Sequence, residues 1–237
     1  MRMPLRLLPR RTVLTVRRGL NRGVKWVTGS STHGCWLGTY EFEKQMALQR
    51  FVKAGMQIFD IGANAGFYTL AFSRLCGDRG KVWAFEPFAE NVTNLLRHVE
   101  LNGLGNVTLF QVAVAEKRGM TGFRISESNA MGKLSDNAEN YLVPTVCLDD
   151  LLIDCGLPVP DLIKMDVEGA ESLVLEGATK LLGYRKTILF VALHGDDQWR
   201  KCKHILETAG YELFLLNGDK VTGKNAAVDE IYAVPVV

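Results

Sequence analysis

The sequence predicts an α/β fold with a doubly wound, mostly parallel sheet of about seven strands. First, short apolar strands alternate with segments of helical periodicity. Second, residues 57–61, 81–86 and 187–193 are apolar enough for strands that are buried on both faces of a sheet. Third, the last two predicted strands are joined through residues 217–220, and too few residues separate them for a helical crossover. One of those two strands is therefore expected to be antiparallel, near an edge of the sheet.

The elements of the first half follow from the spacing of apolar residues. Leu48, Phe51 and Val52 predict a helix over residues 41–53, which Gly55 ends. The alternation then begins, with strands at 57–61, 81–86 and 106–113 and helices at 67–75 and 88–99.

The second half opens with a polar, irregular segment over residues 116–141. A short hairpin and a loop fit it, and the loop is either a lid that contacts substrate or a solvated insertion. Regular elements follow, with helices at 149–153, 170–181 and 199–209 and strands at 162–166, 187–193, 211–216 and 230–234.

Composition excludes several classes of protein. With 47% hydrophobic and 23% charged residues, the 237-residue chain has the composition of a globular protein, not of a disordered one. No stretch approaches the ~18 uninterrupted apolar residues that a membrane-spanning helix needs. The five cysteines are scattered without a C-x-x-C pair, which argues against a disulfide framework or a zinc site and favours the reducing cytoplasm.

Positive charge is concentrated at the N-terminus. Eight of the 28 Lys and Arg residues lie within residues 1–40, which hold no Asp or Glu, so the remaining chain carries 20 basic against 26 acidic side chains. That acidic body argues against a nucleic-acid partner. Residues 1–39 form a basic arm with two interpretations, an amphipathic segment on an anionic membrane surface or a loosely packed extension. No signal peptide is expected, because arginines divide its apolar residues into short runs.

Three carboxylates follow predicted strands, where open α/β sheets bind their ligands. They are Asp60, Glu86 and Asp166, and the glycine-rich turn over residues 62–66 comes directly after the first strand. Glycines allow a backbone to turn tightly and approach a ligand. Glu86 closes the second strand 20 residues after Gly66, where a carboxylate can accept hydrogen bonds from the hydroxyls of a ribose.

A dinucleotide and S-adenosylmethionine both fit this pattern. The turn reads G-A-N-A-G, however, and not the dinucleotide fingerprint G-x-G-x-x-G. The acid before it would repel a pyrophosphate, but it suits a ligand with an ammonium group and a sulfonium charge. The residues therefore favour S-adenosylmethionine over NAD.

Four segments resemble the FkbM family of S-adenosylmethionine-dependent methyltransferases: IFDIGANAGFYTL, AFEP, VPTVCLDDLL and LIKMDVEGAESLVLEGATKLL. The resemblance spans roughly residues 38–216. It implies a Rossmann-like class I methyltransferase fold, with residues 40–237 as the methyltransferase domain, and O-methylation of a sugar, glycolipid or other hydroxylated natural product. N-methylation of a small amine and a non-catalytic S-adenosylmethionine-binding module remain the alternatives.

The resemblance also implies a set of cofactor-binding residues. These are Asp60, Gly62, Ala63, Asn64 and Gly66 in the turn, Tyr68 after it, Glu86 for the ribose, Ala113 and Val114 for the adenine, and Asp166 opposite the methyl donor. Glu168 and Glu171 complete its acidic motif. One position departs from the family pattern, because Ala192 stands where an acid often precedes the hydrophobe and His194.

The expected catalytic residues are His194, Asp166 and Glu168. His194 ends a strand on the ligand side and titrates near neutral pH, which suits the base for a sugar hydroxyl. Asp166 is the second candidate, as a base or an orienting acceptor, whereas Glu168 and Glu171 also fit ordinary first-turn residues of a helix. Asp166 and Glu168 could hold a divalent cation, but no third ligand is evident, so no metal site is predicted. The predicted partner is a hydroxylated small molecule, with cytoplasmic location and peripheral membrane contact through residues 1–39 left open.

Overall fold

The computed structural model describes residues 11–125, 132–135, 141–222 and 228–236. Its strands are β1 (Val13–Thr15), β2 (Lys25–Val27), β3 (Gln57–Ile61), β4 (Lys81–Phe85), β5 (Val107–Phe110), β6 (Ala113–Val114), β7 (Gly119–Ile125), β8 (Gly132–Ser135), β9 (Tyr141–Val146), β10 (Leu162–Met165), β11 (Ile188–Ala192), β12 (Tyr211–Phe214) and β13 (Glu230–Pro235). Its helices are α1 (His33–Leu37), α2 (Phe42–Phe51), α3 (Phe67–Cys76), α4 (Ala89–Leu101), α5 (Leu148–Ile153), α6 (Glu171–Glu176), α7 (Thr179–Gly183) and α8 (Asp196–Thr208).

A seven-stranded sheet forms the centre of the described chain, in the order β12-β13-β11-β10-β3-β4-β5. Strands β3, β4, β5, β10 and β11 run parallel, which confirms the predicted doubly wound α/β fold. The chain leaves β3 toward β4 on one side, and β10 later pairs on the other side of β3. This reversal places the carboxyl ends of β3, β4 and β10 beside one another, where such sheets bind ligands.

Strand β13 is the antiparallel strand that the short final connection predicts. It pairs antiparallel with both β11 and β12 and lies between them. Because β12 fills the edge, β13 is one position in from the end of the sheet.

The two faces of the sheet are covered by different parts of the chain. Alternate strand residues separate them: Phe59 faces the cluster that includes α5 to α8, whereas Ile58 faces the cluster that includes α2, α3 and the β1–β2 hairpin. Both side chains are fully buried, and burial of one such side chain contributes about 1.5–3 kcal/mol.

Residues 106–113 do not form the single strand that the apolar run predicts. Strand β5 ends at Phe110, and Ala113–Val114 pair instead with β9 in a separate sheet of order β6-β9-β7-β8. The hairpin expected within residues 116–141 is present as β7 and β8. The remainder of the predicted lid or insertion, residues 126–131 and 136–140, lies outside the described residues.

The helix predicted over residues 170–181 is two helices, α6 and α7. Helix α6 ends before Gly177, where only glycine fits, since a Cβ there would lie 2.5 Å from the carbonyl oxygen of Ala115. Helix α7 then begins at Thr179. Its first turn is capped by the carboxylate of Asp149, which accepts hydrogen bonds from the amides of Lys180 and Leu181 at 2.9 Å each.

Residues 11–39 pack against the domain, so the interpretation as a loosely packed extension is wrong for this part of the arm. Trp26 is fully buried and stacks on His98, with ring centroids 4.0 Å apart. The side-chain amide of Asn21 donates to the carbonyl oxygen of Phe67 at 2.7 Å. Residues 1–10 lie outside the described residues. No helix in the described ranges has the length and apolar character to cross a bilayer.

Candidate active site

A cavity of about 360 Å³ lies at the carboxyl ends of β3, β4 and β10. This volume falls within the range of small-molecule sites, about 300–1,000 Å³. Of the residues predicted from the sequence, Gly62, Ala63, Asn64, Tyr68, Glu86, Ala113, Val114, Asp166 and Glu168 line it. Asp60, Gly66 and His194 lie close by but are not part of its lining.

The turn after β3 needs glycine because it touches the end of β10. Gly62 has φ +71°, and a Cβ there would lie 1.8 Å from the carbonyl oxygen of Asp166. Asn64 also has positive φ, and its side-chain oxygen accepts the amide of Ala65 at 2.6 Å. The backbone of this turn can therefore approach a ligand in the cavity.

Glu86 is a buried carboxylate in the lining of the cavity. Its carboxylate accepts the amides of Asn64 (2.8 Å) and Phe88 (3.0 Å) and the side-chain amide of Asn91 (3.2 Å). Burial raises the pKa of Glu86 above its ordinary value, and these three donors oppose the rise. A carboxylate has about four acceptor sites, so Glu86 can still accept from a ligand hydroxyl.

Asn91 was missed by sequence reasoning, although it also lines the cavity. Its side-chain oxygen is buried and has no hydrogen-bond partner among the described residues. An orphan acceptor beside Glu86 is the feature that a ribose or an adenine amino group would satisfy. The residues present therefore fit an adenosine-containing ligand. The signal that could have identified Asn91 is its position in the first turn of α4, the helix that follows β4 and Glu86.

Asp60 does not face the ligand space, contrary to the charge argument drawn from the sequence. Its side chain is fully buried, accepts the hydroxyl of Thr69 at 2.5 Å and lies 3.3 Å from the ammonium group of Lys164. Lys164 offsets its charge and donates to the carbonyl oxygen of Gly62 at 2.8 Å. Asp60 thus holds the turn through Lys164. Gly66 also lies outside the lining of the cavity and packs against the side chain of Leu95.

Lys44 is a buried cation beside Asp166, which lines the cavity. It is 4% exposed and contacts the carboxylates of Glu41 (2.7 Å), Asp166 (3.9 Å) and Glu230. Glu41 also accepts the hydroxyl of Tyr68 at 2.8 Å. Burial opposes the ionised form of Asp166, but the charges of Lys164, Lys44 and His194 hold its pKa below the ordinary value.

Four predicted residues meet beside the cavity, and His194 is at their centre. Its Nε2 lies 3.3 Å from Glu168 Oε2 and 3.8 Å from Asp166 Oδ1, and its Nδ1 lies 2.7 Å from Glu171 Oε1. Glu168 has φ +55°, a left-handed conformation that costs energy for a residue with a side chain. The hydrogen bond with Glu171 raises the pKa of His194 above its ordinary value, whereas burial opposes this.

Glu171 is the carboxylate nearest to His194 among the three that surround it. It is fully buried in the first turn of α6, and the same oxygen that meets His194 also accepts the amide of Gly169 at 2.8 Å. The carboxylate partner of the histidine therefore comes from another element of the fold.

The same cluster has a spacing that suits a divalent cation. One ligand atom each from Asp166, Glu168 and His194 lies within 4.8 Å of the others. The premise that no third ligand is available is therefore wrong, because His194 supplies one. The absence of a metal stays a prediction.

The N-terminal segment forms a further wall of the cavity that sequence reasoning missed. Trp26, Thr32, Cys35 and Tyr40 all line it. Their sequence offers no local motif, because they reach the site only through the packing of the β1–β2 hairpin and α1 onto the domain.

Comparison with known proteins gives consistent matches. The sequence profile described as "Methyltransferase FkbM domain" matches residues 60–218. The chain is 28% identical over 166 residues to "Hexuronic acid methyltransferase AglP" of Haloferax volcanii, covering 69% of this chain and 67% of that protein. It is 30% identical over 144 residues to "2-O-methyltransferase NoeI" of Sinorhizobium fredii, covering 53% of this chain and 58% of that protein.

A solved structure shares the fold. The crystal structure of an FkbM methyltransferase from Methylobacillus flagellatus aligns with TM-score 0.52 at 19% identity, over 75% of this chain and 43% of that chain.

Proposed function

Because this chain belongs to the FkbM family of methyltransferases, we propose that it transfers a methyl group from S-adenosylmethionine to a hydroxyl group of a sugar or glycolipid. The observation that carries the proposal is that Asp166 and Glu168, which contact His194, line the same cavity as Glu86. Similarity to a hexuronic acid methyltransferase and a 2-O-methyltransferase supports a sugar as the acceptor class.

The residues that would hold the donor line the cavity. Glu86 and Asn91 offer acceptors for the ribose and its neighbouring groups, and the turn at 62–65 offers backbone that can approach closely. Ala113 and Val114 provide a small apolar surface suited to an adenine ring. When bound, S-adenosylmethionine supplies a methyl group that its sulfonium already activates.

The acceptor hydroxyl must lose a proton, and His194 is suited to accept it. Glu171 keeps Nδ1 of the imidazole protonated, which directs the Nε2 lone pair toward Asp166 and Glu168. Glu171 also stabilises the imidazolium once the proton has arrived. Asp166 and Glu168 can accept hydrogen bonds from the hydroxyls of a sugar and so orient it toward the methyl group.

A two-part experiment tests the proposal. Calorimetry with S-adenosylhomocysteine and with NAD measures the ligand class, and we expect binding of S-adenosylhomocysteine alone. At about 100 times its Kd, the ligand should add about 2.7 kcal/mol to the free energy of unfolding. Binding of NAD instead would contradict the proposal.

Transfer of a labelled methyl group to panels of uronic acids, neutral oligosaccharides and small amines measures the acceptor class. We expect label on a hydroxyl of a saccharide. Label on amines only would favour N-methylation, and donor binding without transfer to any panel would favour the non-catalytic module. The same assay with EDTA measures whether the cluster at His194 needs a cation.

A further inference from the structure

Residues 11–46 expose basic side chains in the β1–β2 connection and large apolar side chains on α1 and α2. We propose that this surface, made of Arg17, Arg18, Arg22, Leu37, Phe42 and Met46 and termed the docking face, binds anionic lipid bilayers. The proposal concerns association with lipid and does not depend on the methyl-transfer reaction.

The basic part of the docking face lies in the connection between β1 and β2. Arg17, Arg18 and Arg22 are exposed, and residues 1–40 contain no acid that could neutralise them locally. This connection is fixed to the domain, because the guanidinium of Arg74 donates to the carbonyl oxygens of Leu20 (3.4 Å) and Arg22 (2.9 Å). The three arginines therefore lie on a connection whose backbone is fixed to the domain.

The apolar part lies on α1 and α2. Leu37, Phe42 and Met46 are 37%, 55% and 49% exposed. Phe42 and Met46 are four residues apart and share one face of α2. Large apolar side chains exposed together in this way indicate a surface that another apolar phase covers.

Backbone contacts place the basic and apolar parts side by side. The amide of Leu20 donates to the side-chain oxygen of Gln45 at 2.8 Å, directly before Met46 in α2. Gly38, which follows Leu37, lies against the carbonyl group of Arg18, where a Cβ would come within 2.1 Å of the oxygen. Cations next to exposed Phe, Leu and Met are the side chains with which peripheral proteins enter the headgroup region of anionic bilayers.

The charge around the docking face suits lipid phosphates better than it suits a nucleic acid. A nucleic acid would engage the arginines but would leave the aliphatic side chains in water. Two acids lie near the apolar part of the docking face. Glu41 is paired with Lys44, and the single charge of the exposed Glu43 is outnumbered by the three arginines. The combination therefore favours a bilayer.

The docking face adjoins the cavity. Thr32, Cys35 and Tyr40, which flank Leu37 in the chain, line the cavity, and Thr32 is exposed. If methyl transfer occurs as proposed above, a bilayer on this face would bring membrane-borne glycans to the mouth of the cavity.

Co-sedimentation of the full chain with vesicles tests the proposal. We expect binding to vesicles of phosphatidylglycerol and phosphatidylcholine at low salt, weakening as salt is raised, and little binding to phosphatidylcholine alone. The variant R17Q/R18Q/R22Q should bind at least about tenfold more weakly, and F42S/M46S should also bind more weakly.

Matched controls lie on the other face of the sheet. K180Q/K186Q/R200Q removes the same charge, and I153S/Y184S removes exposed apolar side chains, at positions near α5, α7 and α8. Both should bind as the natural chain does, and thermal unfolding should confirm that every variant folds. Absence of binding to anionic vesicles, or equal loss in docking-face and control variants, would overturn the proposal. Vesicle binding that F42S/M46S leaves intact while a single-stranded RNA competes it away would also overturn it, in favour of a nucleic-acid surface.

Discussion

Glu171 Oε1 and His194 Nδ1 lie 2.7 Å apart, although 23 residues separate them in the chain. The carboxylate is fully buried, whereas the histidine is partly exposed beside the cavity. Such a pair fixes which imidazole nitrogen carries the proton, and it leaves the other nitrogen for the acceptor.

The pH dependence of turnover should report this pair. The pKa of His194 is raised, mainly by Glu171, and the base works only when neutral, so kcat/KM should fall as pH decreases through a value above 6.5. Glu171→Gln removes the negative charge and should move this acidic limb to lower pH while reducing the maximal rate. A pH profile of both proteins measures the shift, and an unmoved limb would contradict the assignment.

Removal of the base should affect turnover and not donor affinity. His194→Ala should reduce kcat by about 10²–10⁴-fold, the usual contribution of a positioned base. Its affinity for S-adenosylhomocysteine should stay close to that of the natural chain, because His194 does not line the cavity. His204→Ala, at an exposed position of α8, is the control. Full activity of the His194 variant would remove this residue from the mechanism.

Glu86→Ala should weaken binding of S-adenosylhomocysteine by about 10- to 100-fold, since hydrogen bonds to a charged acceptor contribute about 1.5–3 kcal/mol. The variant also leaves the amides of Asn64 and Phe88 without their acceptor. Calorimetry measures the change, with Glu90→Ala at an exposed position of α4 as the control. Equal affinities of the natural chain and of the Glu86 and Glu90 variants would show that the donor does not form hydrogen bonds with Glu86.

Lys44→Met should lower the free energy of unfolding by about 3 kcal/mol, because breaking a buried ion pair leaves uncompensated charge. The group is 4% exposed and faces three carboxylates. Lys201→Met removes an exposed pair with Asp197 and should leave the free energy of unfolding nearly unchanged, because solvent screens such a pair. Urea unfolding of both variants provides the comparison, and similar losses would argue against the role given to Lys44.

His98 should make stability depend on pH. Burial lowers the pKa of His98 to about 4, and its ring donates to Ala65 O and accepts from the amide of Val27. The unfolded chain binds a proton below about 6.5 and the folded chain only near 4, so this contribution is lost as pH falls through that window. The slope should be about 1.4 kcal/mol per pH unit. His98→Gln should flatten the dependence between about pH 4.5 and 6, and an unchanged slope would contradict this account.

The sheet could be predicted because its signals are local. The period of apolar residues marks β3, β4 and α4, and the residues that end strands, such as Glu86 and Asp166, follow once the strands are placed. The same reasoning could have identified Asn91, which lies in the first turn of the helix after β4.

Other parts of the site depend on distant packing. Lys44 of α2 meets Asp166, and Glu171 of α6 meets His194, only through tertiary packing of segments that are distant in the sequence. The charge pattern of residues 1–39 predicts an arm, whereas the contact between Trp26 and His98 is not visible in the sequence. The surroundings of Asp60 are likewise not visible there, because its neutralising lysine comes from β10.

The contact between Gly62 and the carbonyl group of Asp166 joins the turn after β3 to the end of β10. Any side chain at position 62 would force this turn away from the segment that carries Asp166 and Glu168. If donor and acceptor bind as proposed above, main-chain atoms set the spacing between their two binding surfaces. A change of acceptor would then proceed through the surrounding side chains, with this junction held constant.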